Sequence, residues 1–154
     1  MGFICLLALF LLDDPDDLLT DTTKRPHPLA PSLTQLSAEE EKKIEKIIDQ
    51  FILADTGKII GQSAQKAIAD FKGLGPDAFF ELIKGFNKAA EIEHSCPALT
   101  IARKLKNQLS RSKDRQLLQY ARENLGVGVK KSKYSDVTRE LKWTATQQQK
   151  KLGR

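Results

Sequence analysis

Cysteine and histidine are scarce in this sequence, and their scarcity limits the chemistry that it can support. The chain has two cysteines, Cys5 and Cys96, and two histidines, His27 and His94. Two cysteines do not make a disulfide framework. The chain also lacks a paired Cys-x-x-Cys, a His-Glu-x-x-His, a Gly-x-Ser-x-Gly and a calcium-binding loop. The sequence therefore predicts no catalytic residue, no metal site and no cofactor, and we expect a protein that is not an enzyme.

Two short patterns near Cys96 contain residue types that occur in metal or catalytic sites. Glu91 and His94 are three residues apart, as in helical di-iron centres, but such a centre needs a second Glu-x-x-His, and His27 lies in a proline-rich segment. We interpret the pair as a solvated helix end. His94 and Cys96 flank a predicted helix end, and catalytic thiol–imidazole pairs normally come from separate elements, so we interpret this pair as a turn.

The sequence has only one long apolar run, residues 3–12. As a helix it would span about 15 Å, half of a bilayer core, so we predict no integral membrane span. Its length is typical of the apolar part of a secretory signal peptide, although no basic residue precedes it and no small-x-small cleavage site follows. We predict an exported, periplasmic protein. A cytoplasmic protein in which the run docks on the domain is the alternative.

Residues 13–36 contain four of the six prolines, between polar and acidic residues without a sustained period. Such a segment buries too little apolar surface to offset the entropy of ordering it. We therefore predict an extended or disordered linker.

Residues 37–126 predict an all-α domain of about five short helices. Ser37 and Glu40 form a capping box for the first helix, which Gly57 ends, and the second covers about residues 60–72. Pro76 begins the third, because proline suits a first helical turn. Ser95 and Ser112 are the predicted N-caps of the fourth and fifth helices, and Gly126 ends the fifth.

Residues 74–111 are the centre of this prediction. Two amphipathic helices there are joined by a turn of a few residues, so we expect them to lie antiparallel as neighbours. Asn87, on the first of them, is expected to hydrogen-bond the turn or a neighbouring helix. The predicted core comprises Phe79, Leu82, Ile83, Phe86, Leu99, Leu105 and Leu118.

The string LGPDAFFELI at residues 74–83 resembles the start of a HEAT-type repeat, in which a Leu-Gly-Pro entry leads into an apolar helix. This resemblance covers about one repeat and implies stacked antiparallel helical hairpins. The span 51–129 is also similar to uncharacterised helical proteins of planctomycete-type bacteria. Residues that carry the second resemblance are Asp55-Thr56-Gly57, Gly75-Pro76, Asn87, Ser95-Cys96-Pro97 and Gly126-Val127-Gly128. It implies no activity.

The positive charge of the chain is concentrated in its last residues. From residue 126 onward there are eight basic and two acidic residues, whereas the whole chain has a net charge of +5. We predict a basic tail over residues 127–154 that may include one helix from Ser135 to about Gln149. The candidate anion contacts are Lys130, Lys131, Lys133, Arg139 and Lys142.

Two functions are compatible with this sequence. The first is a helical interaction module that holds an unidentified protein or peptide on a helix face or groove. The second is a basic-tailed module that binds nucleic acid or an anionic membrane surface through the tail. The partner and the oligomeric state are left open.

Overall fold

The computed structural model describes residues 24–92, 96–130 and 133–153. About 70% of these residues are helical, which confirms the predicted all-α class. The described part contains six α-helices: α1 Ala38–Asp55, α2 Gly61–Lys72, α3 Phe79–Ala90, α4 Pro97–Arg111, α5 Arg115–Asn124 and α6 Ser135–Leu152. Two short strands, β1 Pro26–His27 and β2 Ala30–Thr34, pair antiparallel ahead of them.

The helix starts follow the local signals in most places. The capping box of α1 is formed, since the Ser37 N–H donates to Glu40 Oε2 over 2.8 Å and the Glu40 N–H donates to Ser37 Oγ over 3.2 Å. The bond from the Ser37 backbone lowers the pKa of Glu40. Pro76 begins a single 3-10 turn, residues 76–78, which leads directly into α3.

The predicted N-cap of α5 is wrong by two residues. Asp114 is the cap, and its Oδ1 accepts the N–H groups of Gln116 and Leu117 over 2.9 and 3.1 Å. Ser112 instead ends α4, and its Oγ accepts the Asp114 N–H. A carboxylate two residues closer to the helix reaches its free amides, which the Ser112 hydroxyl does not. The predicted N-cap of α4, Ser95, lies outside the described residues.

One apolar core joins the helices. α1 packs on α2, α3 on α4 and α5 on α6, while contacts of α1 with α3 and of α4 with α6 connect these pairs. Six of the seven predicted core residues are buried. Leu99 is the exception at 36% exposure, because the buried face of α4 consists of Ala98, Ile101, Ala102, Leu105 and Leu109, and Leu99 lies one position off it.

Asn87 connects α3 to the turn after α5, as predicted. Its Nδ2 donates to the Asn124 carbonyl over 2.9 Å, and its Oδ1 accepts the Gly126 N–H over 2.7 Å. Gly126 has φ of +78°, a left-handed conformation that favours glycine.

Residues 26–34 of the predicted linker form the strand pair, so of the two predicted conformations, extended or disordered, the extended one is found there. Ala30 and Leu33 are buried in the core, and the His27 ring stacks on Phe80 with 4.1 Å between ring centroids. The Thr34 N–H also donates to Asp77 Oδ1 over 2.8 Å. Two apolar residues and these polar contacts hold the strand pair on the helices. Linker residues 13–23 lie outside the described part, as does the apolar run 1–12.

The helix predicted in the tail is present as α6 and packs on α4 and α5. Leu141 and Ala145 are fully buried, and Gln148 Nε2 donates to the Ser112 carbonyl over 2.8 Å. The packed core therefore continues past residue 126, where the predicted domain ended. Within the described ranges, no helix is both long enough and apolar enough to cross a membrane.

Candidate functional site

A cleft of about 480 Å³ lies between strand β2, the α2–α3 connection, the second half of α4 and the start of α5. We call it the α4 groove. Its apolar lining includes Leu33, Leu74, Pro76 and Leu117. Its charged and amide lining includes Lys104, Gln108, Arg111 and Lys113. The groove thus combines aliphatic surface with three cations.

The spacing along α4 explains why polar side chains line the groove. Ile101, Leu105 and Leu109 point into the core and are fully buried. Lys104, Gln108 and Arg111 recur at intervals of four and three residues, so they share a neighbouring face of the same helix. One helix therefore supplies both core packing and the polar wall of the groove.

Lys104 is the most constrained of the three cations. Its Nζ donates to the Lys72 carbonyl over 3.1 Å and lies 5.5 Å from the centroid of the Phe71 ring. Burial lowers the pKa of the Lys104 ammonium. Arg111 and Lys113 are exposed. In the described part of the chain, none of the three has a carboxylate within 4.0 Å.

The carboxylates nearest to the groove are directed to strand β2. Asp77 Oδ1 accepts the Thr34 N–H. Asp114 Oδ2 accepts both the N–H and the hydroxyl of Ser32, over 2.9 and 2.7 Å. No aspartate or glutamate of the described residues lines the groove itself. The lining itself therefore carries three cations and no carboxylate, although the Asp114 carboxylate contacts the lining residue Ser32, and an anionic ligand would be favoured beside the cations.

Gln108 adds an unused hydrogen-bonding group. Its Oε1 is buried and is the one buried side-chain polar atom of the described residues that has no hydrogen-bond partner. A buried acceptor without a donor is costly, by roughly 1–3 kcal/mol. Because this oxygen has almost no accessible surface, a ligand in the groove would reach it only after the Gln108 side chain turns.

Those predicted anion contacts of the tail that the structure describes do not line this groove. Lys130 and Lys133 are exposed, and the Lys130 N–H donates to Glu91 Oε1 over 2.8 Å. Arg139 pairs with Asp136 on the same helix, and Lys142 is half-buried. Lys131 lies outside the described residues. Of the described tail cations, Arg139 therefore already has a carboxylate partner, in an exposed ion pair.

The structure describes only part of the segment 91–96, which joins α3 to α4. Glu91 is the C-cap of α3 and Cys96 is the exposed N-cap of α4, while His94 lies outside the described residues. Among the residues that are described, no three His, Cys, Asp or Glu side chains are grouped as metal ligands would be.

Comparisons with protein-family models, with curated proteins and with solved structures find no match to this chain.

No pattern in the sequence indicates the α4 groove. Lys104 lies on the side of its helix that the sequence marks as polar, and such positions usually face solvent. The sequence gives no indication of strand β2, because residues 30–34 lie in the proline-rich segment that predicts a linker. This strand supplies Ser32 and Leu33 to one wall of the groove.

Proposed function

We propose that this chain is a non-enzymatic helical module that binds an acidic, partly aliphatic segment of a partner protein in the α4 groove. The observation that carries the proposal is the set of three cations without carboxylate partners beside aliphatic surface. Aspartate or glutamate side chains of the segment would pair with Lys104, Arg111 and Lys113. Leucine-like side chains would cover Leu33 and Leu74.

The size of the groove supports a short peptide as the occupant. About 480 Å³ lies within the range of small-ligand pockets, roughly 300–1,000 Å³, which corresponds to a few side chains. Exposed ion pairs contribute about 0.2–1 kcal/mol each. Three of them together, about 0.6–3 kcal/mol, would therefore change affinity by roughly 3- to 150-fold.

The test is fluorescence anisotropy of a labelled DDLLDDLL peptide with the full chain, with NNLLNNLL as the uncharged control. Replacing Lys104, Arg111 and Lys113 together by glutamine should weaken binding at least about threefold, because the ion pairs are lost. Affinity should also fall as salt rises from 50 to 500 mM, since exposed charges are screened. Equal binding of the two peptides would refute the proposal.

Two further variants serve as controls. The double variant Arg111→Gln with Lys113→Gln touches only exposed side chains, so it should keep the fold and lose part of the affinity. The triple variant Lys130→Gln, Lys133→Gln and Lys142→Gln removes the same charge from the tail and should leave affinity unchanged. An equal loss in both triple variants would mean that net charge, and not the groove, attracts the peptide.

The alternative function, binding of nucleic acid or an anionic membrane through the tail, has less support. Arg139 is paired with Asp136, and Lys106 Nζ lies 2.5 Å from Glu140 Oε1, so acidic residues accompany the cations of α6. The tail triple variant tests it with duplex DNA and with phosphatidylserine vesicles at 50 mM salt. If the tail triple variant loses binding to either probe while the groove triple variant keeps it, the tail is the surface that binds the probe.

The HEAT-like relationship and export remain proposals as well. Pairwise packing of consecutive helices supports the first, and the apolar run at residues 3–12 supports the second. Mass spectrometry of the mature N-terminus in cell fractions tests export. A chain that starts at Met1 in the cytoplasm would contradict it.

A further inference from the structure

We propose that two cations of the α4 groove, Lys104 and Arg111, are a pair of anchors that selects a partner segment with two acidic residues three positions apart in an extended chain. This inference rests on the proposed function and adds the spacing of the charges that the groove recognises. Both anchors lie on one helix, so the helix itself fixes the distance between them. The groove would therefore prefer some acidic sequences to others of the same composition.

The distance between the two anchors follows from their positions on α4. Lys104 and Arg111 are seven residues apart, which is almost two full helical turns. Their side chains therefore leave the helix on nearly the same side, from backbone positions about 10.5 Å apart. Both residues line the groove, whereas Arg103, next to Lys104 in the sequence, is exposed and does not line it. Two separate cationic points thus face one cleft.

Lys104 is the anchor whose position is fixed. Its Nζ donates to the Lys72 carbonyl over 3.1 Å at the end of α2 and lies 5.5 Å from the centroid of the Phe71 ring. An ammonium has three donors, so a ligand carboxylate can still accept a hydrogen bond from it. The side chain is half-buried and already ordered, so pairing costs little further side-chain entropy and is screened less by salt than a fully exposed pair. Lys104 therefore sets the place where one carboxylate binds.

Arg111 is the second anchor, and it can adjust to the ligand because its side chain is exposed. Within the described residues, no carboxylate lies within 4.0 Å of it. The neighbouring Asp114 carboxylate accepts instead from Ser32, Gln116 and Leu117. A guanidinium binds a carboxylate through two parallel N–H bonds, which gives this second contact a defined geometry.

An extended segment matches this distance at one spacing. In the polyproline II conformation, which has three residues per turn and a rise of about 3.1 Å, residues three apart lie on one side, about 9.3 Å from each other. The two residues between them project to either side and would contact the aliphatic lining at Leu33 and Leu74. In a β-strand, residues on one side are separated by about 7 or 13 Å, which fits less well. The preferred segment is thus acidic, aliphatic, aliphatic, acidic.

The first experiment compares labelled octapeptides that each contain two aspartates, two asparagines and four leucines, by fluorescence anisotropy. The aspartates are three apart in NDLLDNLL, adjacent in NDDLLNLL, two apart in NDLDLNLL, four apart in NDLLLDNL and seven apart in DLLNNLLD. The full chain carries Lys113→Gln, so that adjacent aspartates cannot pair with Arg111 and Lys113 together. NDLLDNLL should bind about 1.4- to 5-fold more tightly than the other peptides, which is the effect of one additional exposed ion pair. Equal affinities, or an optimum at any other spacing, would overturn the inference.

The second experiment assigns the preference to the two anchors. Added to Lys113→Gln, either Lys104→Gln or Arg111→Gln should abolish the preference for NDLLDNLL, since each removes one anchor. Arg103→Gln is the matched control, because it removes the same charge from the same helix outside the groove, and it should keep the preference. Arg111→Gln changes an exposed side chain, so it tests the inference even if Lys104→Gln unfolds the chain. A preference that persists in Arg111→Gln, or that is lost in Arg103→Gln, would contradict the assignment.

The outcomes separate this inference from the proposed function. If DDLLDDLL binds through the groove cations but the five isomers bind equally, the spacing is wrong and the proposed function stands. If DLLNNLLD binds most tightly, the partner segment is a helix, because residues seven apart in a helix are also separated by about 10.5 Å, and the extended segment is wrong. If DDLLDDLL and NNLLNNLL bind equally, both proposals are wrong.

Discussion

The carboxylate of Asp114 fastens two distant parts of the molecule, and its replacement should show how much that contact stabilises the fold. Its Oδ1 caps α5 through the N–H groups of Gln116 and Leu117, and its Oδ2 accepts the N–H and hydroxyl of Ser32 on β2. One side chain therefore holds both a helix start and the strand that lines the α4 groove. The two roles use different oxygens, so they can be separated by substitution.

Asp114→Ala should remove both roles. Loss of an N-cap costs about 1 kcal/mol. The two bonds to Ser32 involve a charged acceptor, but they lie in a part-exposed position, so we assign them about 1–2 kcal/mol together. We expect a loss of about 2–3 kcal/mol in the free energy of unfolding. For a chain of this size that corresponds to a decrease in Tm of roughly 6–10 °C.

Asp114→Ser is the matched variant. Serine caps a helix about as well as aspartate, but its single short hydroxyl cannot also reach Ser32. It should therefore lose only about 1–2 kcal/mol, and the Ser32 amide should exchange its hydrogen faster than in the natural sequence. Urea unfolding followed by circular dichroism measures the free energies. If Asp114→Ser were as stable as the natural sequence, or as unstable as Asp114→Ala, the assignment of two separate roles would be refuted.

The ionisation of Asp114 should make the free energy of unfolding depend on pH. Desolvation acts to raise the pKa of Asp114, but hydrogen bonds from Ser32, Leu117 and Gln116 outweigh it, so the pKa is lowered. A carboxyl whose pKa is lower in the folded state stabilises the fold fully above its unfolded value of about 3.9. This stabilisation is lost as the pH falls through the folded pKa. The stability difference between the natural sequence and Asp114→Ser should therefore be constant from pH 5 to 7 and shrink below about pH 4, and a difference that grows on acidification would contradict this.

Two core predictions follow from packing and are measured by urea unfolding. Gly85→Ala should lower the free energy of unfolding by about 1–3 kcal/mol, because an added Cβ would lie 2.4 Å from Ile48 Cγ2 in the contact between α3 and α1. Gly75→Ala should be nearly neutral, because its added Cβ would meet no atom within 4 Å. Equal effects of the two glycine substitutions would contradict the packing. Leu105→Ala should lower the free energy of unfolding by about 2–5 kcal/mol and Leu99→Ala by less than about 1 kcal/mol, since Leu105 is fully buried and Leu99 is not. The reverse order would show that α4 is rotated about its axis.

The positions of the helices could be predicted from the sequence because their signals are local. The capping box at Ser37, the proline at Pro76 and the glycine at Gly126 act within one helical turn of the boundary that they set. The apolar period then identifies the buried face to within one position, which is why most predicted core residues are buried and why Leu99, next to that face, was misassigned.

Only the tertiary structure decided the strand pair and the groove. The bond between Ser32 and Asp114 joins residues 82 positions apart, and no local pattern in a proline-rich segment reveals such a partner. The α4 groove exists because β2, the α2–α3 connection, α4 and α5 meet at one place. The sequence by itself determined which segments are helical, since helix formation depends on neighbours within four residues. The packing of these segments decides which cations line one cleft. Packing in turn depends on contacts between residues that are far apart in the chain.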